Sequence, residues 1–553
     1  MDTRTRVVLG WHMHQPDYRD PDTGEYRLPW TYLHAIKDYT DMAAHLEEQP
    51  GARAVVNFTP VLLEQLEDYA SQISAYFFSG QPLRDPMLRA LAAERFPESP
   101  DHRRELVAWC LRANRERLIS AFPPFLALAQ RADELLSDRH AVPDELFLGD
   151  LLTWYHLAWM GETIKRSSLL VRELLAQTHA YRPDQRRELV RMIGMLISDV
   201  IPRYRRLAET GRIELSMTPF GHPIVPLLLD FASARDAVPD LAIPQESYPN
   251  GRARAHWHFD EGLRVFERIF GCRPRGCWPS EGAISEATLT VLQEFGFSWL
   301  ASGAAVLEHS EPGASLARAY RLKGESCACF FRNDQLSDRI GFQYASWHGD
   351  DAVANLVCAL ESSARSDPQS VITLFLDGEN AWEYYPANGF YFLSGLYRTL
   401  ADHPLLKLTT FSEALDDGIT VEPLNRLVAG SWVYGTLSTW MGSIDKNKGW
   451  ELLIAAKKTF DRALENGRMN PVAYQNALRR LAACESSDWF WWLGDYNPGM
   501  AVADFENLYR KHLTALYRHL GEPPALELSS VLSQGRGQPS AGGVMRPSFD
   551  VVG

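Results

Sequence analysis

Six consecutive residues, Val371-Ile372-Thr373-Leu374-Phe375-Leu376, stop abruptly at Asp377-Gly378-Glu379-Asn380-Ala381-Trp382. A short apolar run with so sharp an end reads as a buried strand. Acids at the carboxyl end of such a strand are costly to desolvate unless they act there. Cys277-Trp278-Pro279-Ser280-Glu281-Gly282 has the same form, with one carboxylate between an indole and a glycine. Two isolated carboxyls beside aromatic residues, on separate strand ends, are what glycosidic bond cleavage requires.

The rest of the chain repeats the alternation. Residues 6–11, 53–58, 213–217, 275–278, 297–301, 340–347 and 371–376 read as strands. Helical patterns lie between them, with Thr59-Pro60 and Ser285 as helix starts and Gly296 as a stop. Strands alternating with helices imply an α/β fold with a parallel sheet closed into a barrel. The polar clusters all follow strands, which is the face of a β/α barrel where chemistry sits. From about residue 85 to 210 the period is helical throughout, which reads as an insertion. We divide the chain into a barrel over residues 1–415, a helical domain over 416–525 that completes the cleft, and a disordered tail over 526–553 rich in Ser, Gly, Pro and Gln.

With 553 residues the chain is too long for one core, and 46% hydrophobic with 23% charged residues is ordinary for a soluble protein. A net charge of -14 argues against nucleic acid as a partner. No stretch is long enough to span a membrane, and no signal-peptide core follows Met1. Seven Cys without repeated metal-ligand spacing point to reduced thiols in the cytoplasm and to no structural metal. Sixteen Trp and 21 Tyr matter because aromatic rings cover the apolar faces of sugars. Composition leaves the oligomeric state open.

Five segments ask for one explanation: His12-Met13-His14-Gln15-Pro16, Gly221-His222-Pro223-Ile224-Val225-Pro226, Trp278-Pro279-Ser280-Glu281-Gly282, Asp377 to Trp382, and Trp440 to Trp450. In order and spacing they resemble the five signature regions of glycoside hydrolase family 57, nearest to its α-amylase and amylopullulanase branch. The resemblance runs from residue 6 to about 520. It implies a distorted (β/α)7 barrel followed by helices, and cleavage of α-glucan linkages with retention, without metal or cofactor. Carried over, Glu281 matches the nucleophile and Asp377 the general acid/base. Retention predicts carboxyl groups about 5–5.5 Å apart.

The other candidates carry two readings each. Glu379 rivals Asp377 as the acid or supports it from behind. His12, His14 and His222 are donors to Glu281 or sugar hydroxyls, or core histidines. Trp382, Trp440 and Trp450 are sugar platforms, and Trp278 is either a platform or barrel packing. Asp334 or Asp338, after Arg332, shapes the lowest subsites or closes a salt-bridged turn, and His348 is similar. Asp445 and Asn447 bring the helical domain over the barrel mouth. Trp489 to Asp495, dense in aromatic residues, packs that domain on the barrel, or Trp489 or Asp495 touches glucan. Three rival functions remain: a glucanotransferase or branching enzyme on the same scaffold, a metal-dependent deacetylase using His12, His14 and Asp17 with Asp377, and a glucan-binding protein without catalysis.

Overall fold

The computed structural model describes residues 4–467, 469–537 and 545. Ten strands form one sheet: β1 (Thr5–Met13), β2 (Ala54–Phe58), β3 (Ile213–Met217), β4 (Gly276–Cys277), β5 (Trp299–Ser302), β6 (Ala319–Leu322), β7 (Ala328–Phe331), β8 (Val371–Asp377), β9 (Leu406–Thr409) and β10 (Val421–Leu424). The order is β10-β6-β7-β5-β4-β3-β2-β1-β8. Pairing is parallel except between β6 and β7. β1 is the pivot. Its whole length lies along β8, its first half pairs with β9 and its second half with β2. The sheet curls back on itself, so that Asn333 N–H, just past β7, donates to Thr373 O on β8 at 2.7 Å. The result is a distorted β/α barrel with helices packed outside it.

Residues that alternate along the strands form an apolar cluster of their own. Val8, Val55, Ala301, Phe330 and Phe375 meet there with Trp278 and Trp299. Trp278 stacks on Phe375 with ring centroids 4.0 Å apart. Gly10 makes room for Phe375, whose ring would lie 2.0 Å from any Cβ at that position.

Helices fill residues 86–209, from Pro86–Ala92 to the long Pro183–Glu209. Asp85, Ser99, Asp144 and Ser168 start four of them by accepting backbone N–H groups. Beyond β10, the helices Ile444–Glu465, Pro471–Cys484, Ser487–Trp492 and Gly499–His519 pack together. A fully buried ionic cluster locks them to the barrel. Glu485 accepts from Arg254, His258 and Tyr248, the first two on helix Gly251–Phe270. Against the cost of burial, Arg254 and the His258 bond pull the Glu485 carboxyl down to about 2.

Three expectations need correction. Residues 340–347 are not a strand but part of a run of helical turns from Asp334 to Ser346. Asn333 caps that run by accepting from Leu336 N–H, and Ile340 and Tyr344, four apart, both turn inward. The neighbouring strand is β7, which ends just before Arg332. The sheet also continues beyond residue 415, because β10 pairs with β6. Residues 526–537 do not hang free. Leu528 and Leu532 are buried, and Gly537 N–H reaches Asn497 O. The remainder of the expected tail, Met545 apart, lies outside the described residues. Among the described residues no helix is long and apolar enough to cross a membrane.

Candidate active site

The carboxyl ends of β1, β3, β4, β7 and β8 open into one cavity of about 400 Å³. His12, His14, His222, Glu281, Asp338, Asp377 and Glu379 all line it.

Glu281 has left-handed backbone angles (φ 58°, ψ 22°), as does Gly282 after it (φ 58°). A non-glycine residue there costs on the order of 1–3 kcal/mol and persists only where its surroundings hold it. Here Pro279 precedes the turn and Trp432 N–H binds the Glu281 carbonyl. The side chain is thereby aimed into the cavity. Its Oε2 accepts from Trp432 Nε1 at 3.0 Å and its Oε1 lies 3.3 Å from Ser487 Oγ. Burial first, then the charges of Asp377 and Asp488, push this carboxyl up to about 8, with the Trp432 and Ser487 bonds pulling the other way.

Asp377 ends β8 and accepts from Asn380 Nδ2 at 2.9 Å. Burial pushes it up to about 6, while the Asn380 bond, His14 and Arg332 pull it down. Glu379 sits deeper. Its Oε1 accepts from His14 N–H, Gln15 Nε2 and Tyr39 OH, and burial together with Asp377 raises it well above the usual carboxyl range. It supports the turn between β1 and β8 from behind.

The three histidines form a stack, with His14 and His222 ring centroids 3.7 Å apart. His12 bonds Asn57 and His222; His14 bonds Thr59 and, through Nε2, Asp488 Oδ2 at 2.8 Å. His222 Nδ1 bonds Ser487 Oγ at 2.7 Å. Burial and the neighbouring rings push His12 down to about 3 and His222 well below the usual imidazole range, so both are neutral. His14, His222 and Asp488 place one ligand atom each within 4.8 Å of one another. They do not fit a tetrahedral metal, because lone pairs in parallel stacked rings do not converge and every ring nitrogen already has a partner. Asp17 is bound to Arg19 instead of a histidine.

Seven candidate side chains lie elsewhere. Trp278 belongs to the barrel core. Trp382 is buried behind β8, packed on Trp11, with Nε1 on Gly378 O. Trp450 stacks on Phe490 at 4.2 Å and donates to the carbonyl of the equally buried Trp440. Asp445 accepts from Ser533, and Asn447 bonds Ala242 and Gly442. His348 is 74% exposed at the start of helix Gly349–Ser366. An indole beside polar residues has the same sequence signature whether it faces a core or a cavity. Arg332 pairs with both Asp334 and Asp338, so the salt-bridged turn and the cavity wall are one structure.

The sequence reading missed Trp432, Ser487 and Asp488, and the aromatic lining made by Trp30, Trp159, Trp491 and Trp492. The signal for the second and third was present: Glu485-Ser486-Ser487-Asp488 is a polar run directly before four aromatic residues. Against the cost of burial, His14 and the Ser486 bond hold the Asp488 carboxyl below its usual range.

The sequence profile of Glycosyl hydrolase family 57 matches residues 8–426. No curated protein sequence matches the chain. Among solved structures, a family 57 branching enzyme from Thermococcus kodakaraensis superposes with a TM-score of 0.60 at 16% identity, over 94% of this chain and 90% of that one. The α-amylase AmyC from Thermotoga maritima gives 0.59 at 14% identity, over 97% and 95%. A 4-α-glucanotransferase from Thermococcus litoralis gives 0.51 at 15% identity, over 93% of this chain and 60% of that one.

Proposed function

This chain belongs to glycosyl hydrolase family 57, and from that premise we propose that it is a retaining enzyme acting on α-glucans through a covalent glycosyl-enzyme. One observation carries the reading: Glu281 and Asp377, from two different strand ends, share one cavity, and the charge of Asp377 is felt at Glu281. The structures it resembles are named as a branching enzyme, an α-amylase and a 4-α-glucanotransferase, and we extend the α-glucan to this chain.

In this reading Glu281 attacks the anomeric carbon while Asp377 gives its proton to the leaving oxygen. Asp377 then takes a proton from the incoming hydroxyl. Burial and the charges of Asp377 and Asp488 push Glu281 up to about 8, and burial pushes Asp377 up to about 6, an order that favours the proton on Glu281. Attack needs the reverse. The positive charge that develops at the anomeric carbon supplies the missing counter-charge, and the Trp432 and Ser487 donors stabilise the carboxylate. Once Glu281 is esterified its charge is gone, and Asp377 loses its proton more easily.

The aromatic lining favours a second reading on the same intermediate. Trp30, Trp159, Trp432, Trp491 and Trp492 line the cavity, and an aromatic wall that keeps water from the intermediate favours capture of the glycosyl group by a sugar hydroxyl. Maltoheptaose incubated with the enzyme tests both. Products only shorter than the substrate, with new reducing ends, mean hydrolysis; products both longer and shorter mean transfer; new α-1,6 signals in the proton NMR spectrum mean branching. Glu281→Gln is expected to abolish all of them, and chelator to leave them unchanged. No turnover by the wild-type protein would overturn the proposal and leave a binding role.

A further inference from the structure

A chain of four side chains runs from the barrel floor to Glu281. Asn57 on β2 bonds His12 Nδ1 at 2.7 Å, and His12 Nε2 meets His222 Nε2 at 3.1 Å. His222 Nδ1 meets Ser487 Oγ at 2.7 Å, and Ser487 Oγ lies 3.3 Å from Glu281 Oε1. Both imidazoles are neutral, so each carries one proton and one bare nitrogen. Such a chain has two polarities, and only one ends in a donor at Glu281.

Thr218 decides between them. Its hydroxyl lies 2.8 Å from the Trp278 carbonyl and 2.8 Å from the near end of the Asn57 amide. The carbonyl can only accept, so it takes the single Thr218 proton. With the amide oxygen toward Thr218 and His12, two oxygens face each other without a proton between them. Turned by half a turn, the amide NH2 donates to both Thr218 and His12, and the amide oxygen accepts from the Ser216 hydroxyl 3.0 Å away. The Thr218, Asn57, Ser216 and His12 groups of this network then all have partners. His12 Nδ1 accepts, His12 Nε2–H donates to His222, His222 Nδ1–H donates to Ser487, and Ser487 O–H donates to Glu281.

We propose that Asn57, His12, His222 and Ser487 form a polarised relay that delivers a hydrogen-bond donor to the Glu281 carboxylate, with Ser487 as the positioning residue that sets its charge state. The relay deepens the proposed function and rests on it only for its purpose. No proton is transferred along it; the protons are only oriented. The other charged or titratable groups lining the cavity are Asp377, Glu379 and Glu383 after β8, Asp488 beside Ser487, His14 and Tyr18 after β1, Arg332 and Asp338 after β7, and His34, Arg112 and Asp504 further out.

The test does not require turnover. Trp432 Nε1–H donates to Glu281 Oε2, so its indole resonance reports the charge on Glu281. In 15N-labelled protein, with the peak assigned by Trp432→Phe, that resonance is expected to titrate in the wild type and to stop titrating in Glu281→Gln. Ser487→Ala is expected to raise the midpoint by about one pH unit, the size of one hydrogen bond to a charged group. Ser487→Thr, which keeps the hydroxyl, is expected to restore it. The imidazole 15N spectrum of the wild type is expected to show His222 protonated at Nδ1. An unmoved midpoint in Ser487→Ala, or His222 protonated at Nε2, would overturn the relay. Absence of α-glucan turnover alongside the expected shifts would sink the function and leave the relay standing.

Discussion

The two sides of the cavity are built differently. On the barrel side, His12, His222, Glu281 and Asp377 sit at strand ends, and parallel register fixes their places: His12 is directly opposite both Asn57 and Asp377. On the other side, Trp432 comes from a loop and Ser487 and Asp488 from one short helix. The barrel side supplies the carboxyls that the chemistry needs. The helical side supplies two hydrogen bonds and one charge that act on Glu281 beside the larger effect of burial.

That division can be broken at four points. Asp377→Asn is expected to have the largest effect, a loss of roughly 10²–10⁴-fold in kcat on unactivated glucan. With a substrate whose leaving group needs no protonation the loss should shrink, and an equal loss on both substrates would argue against a role as acid. Glu485→Ala attacks the anchor between the two sides. Removing one partner of a buried ion pair costs about 3–5 kcal/mol, read as a lowered unfolding midpoint in denaturant. The sign of its pH dependence follows from the depressed value. Glu485 contributes stability above its unfolded value of 4.5, and the contribution disappears as pH falls towards about 2. Unfolding of wild type and variant should therefore converge in acid.

A finer test separates donor from charge on the helical side. The Asp488 charge raises Glu281, so Asp488→Asn is expected to move the acid limb of the kcat/KM profile to lower pH, opposite in sign to loss of the Ser487 hydroxyl. An unmoved limb would mean that Asp488 acts only through packing, and a shift in the same direction would overturn its charge as the cause. His348→Ala is expected to change least. Its side chain is 74% exposed, and surface substitutions of this kind stay within about ±0.5 kcal/mol with kcat/KM unchanged.

The contrast also explains what could be read in advance. β1, β2, β3 and β8 have at least five residues each, so those strands were legible, with Asp377 at the end of β8. Glu281 follows the two-residue β4 and was legible from its Trp-Pro-Ser-Glu-Gly motif instead. β6, β7, β9 and β10 have four residues each, too few to display a period, and the equally short β5 was read only from the Gly296 stop before it. Residues 340–347 misled because an apolar stretch carrying three aromatic residues looks like a strand, whereas the Asn333 cap that starts a helix lies seven residues earlier. On the helical side, the His14–Asp488 bond joins residues 474 apart. No local pattern encodes a pairing at that range. Trp440 and Trp450 were chosen for polar neighbours that serve loop and helix geometry, and the rings themselves fill the core.

The late position of Ser487 and Asp488 has a consequence for biosynthesis. A ribosome moving at about 5–20 residues per second has made every strand and both acids on the order of several seconds before it reaches the segment that tunes them. Until the last helices dock, Glu281 lacks its Ser487 partner and His14 lacks Asp488, so the nascent barrel carries both acids with that half of their hydrogen-bond surroundings still unmade.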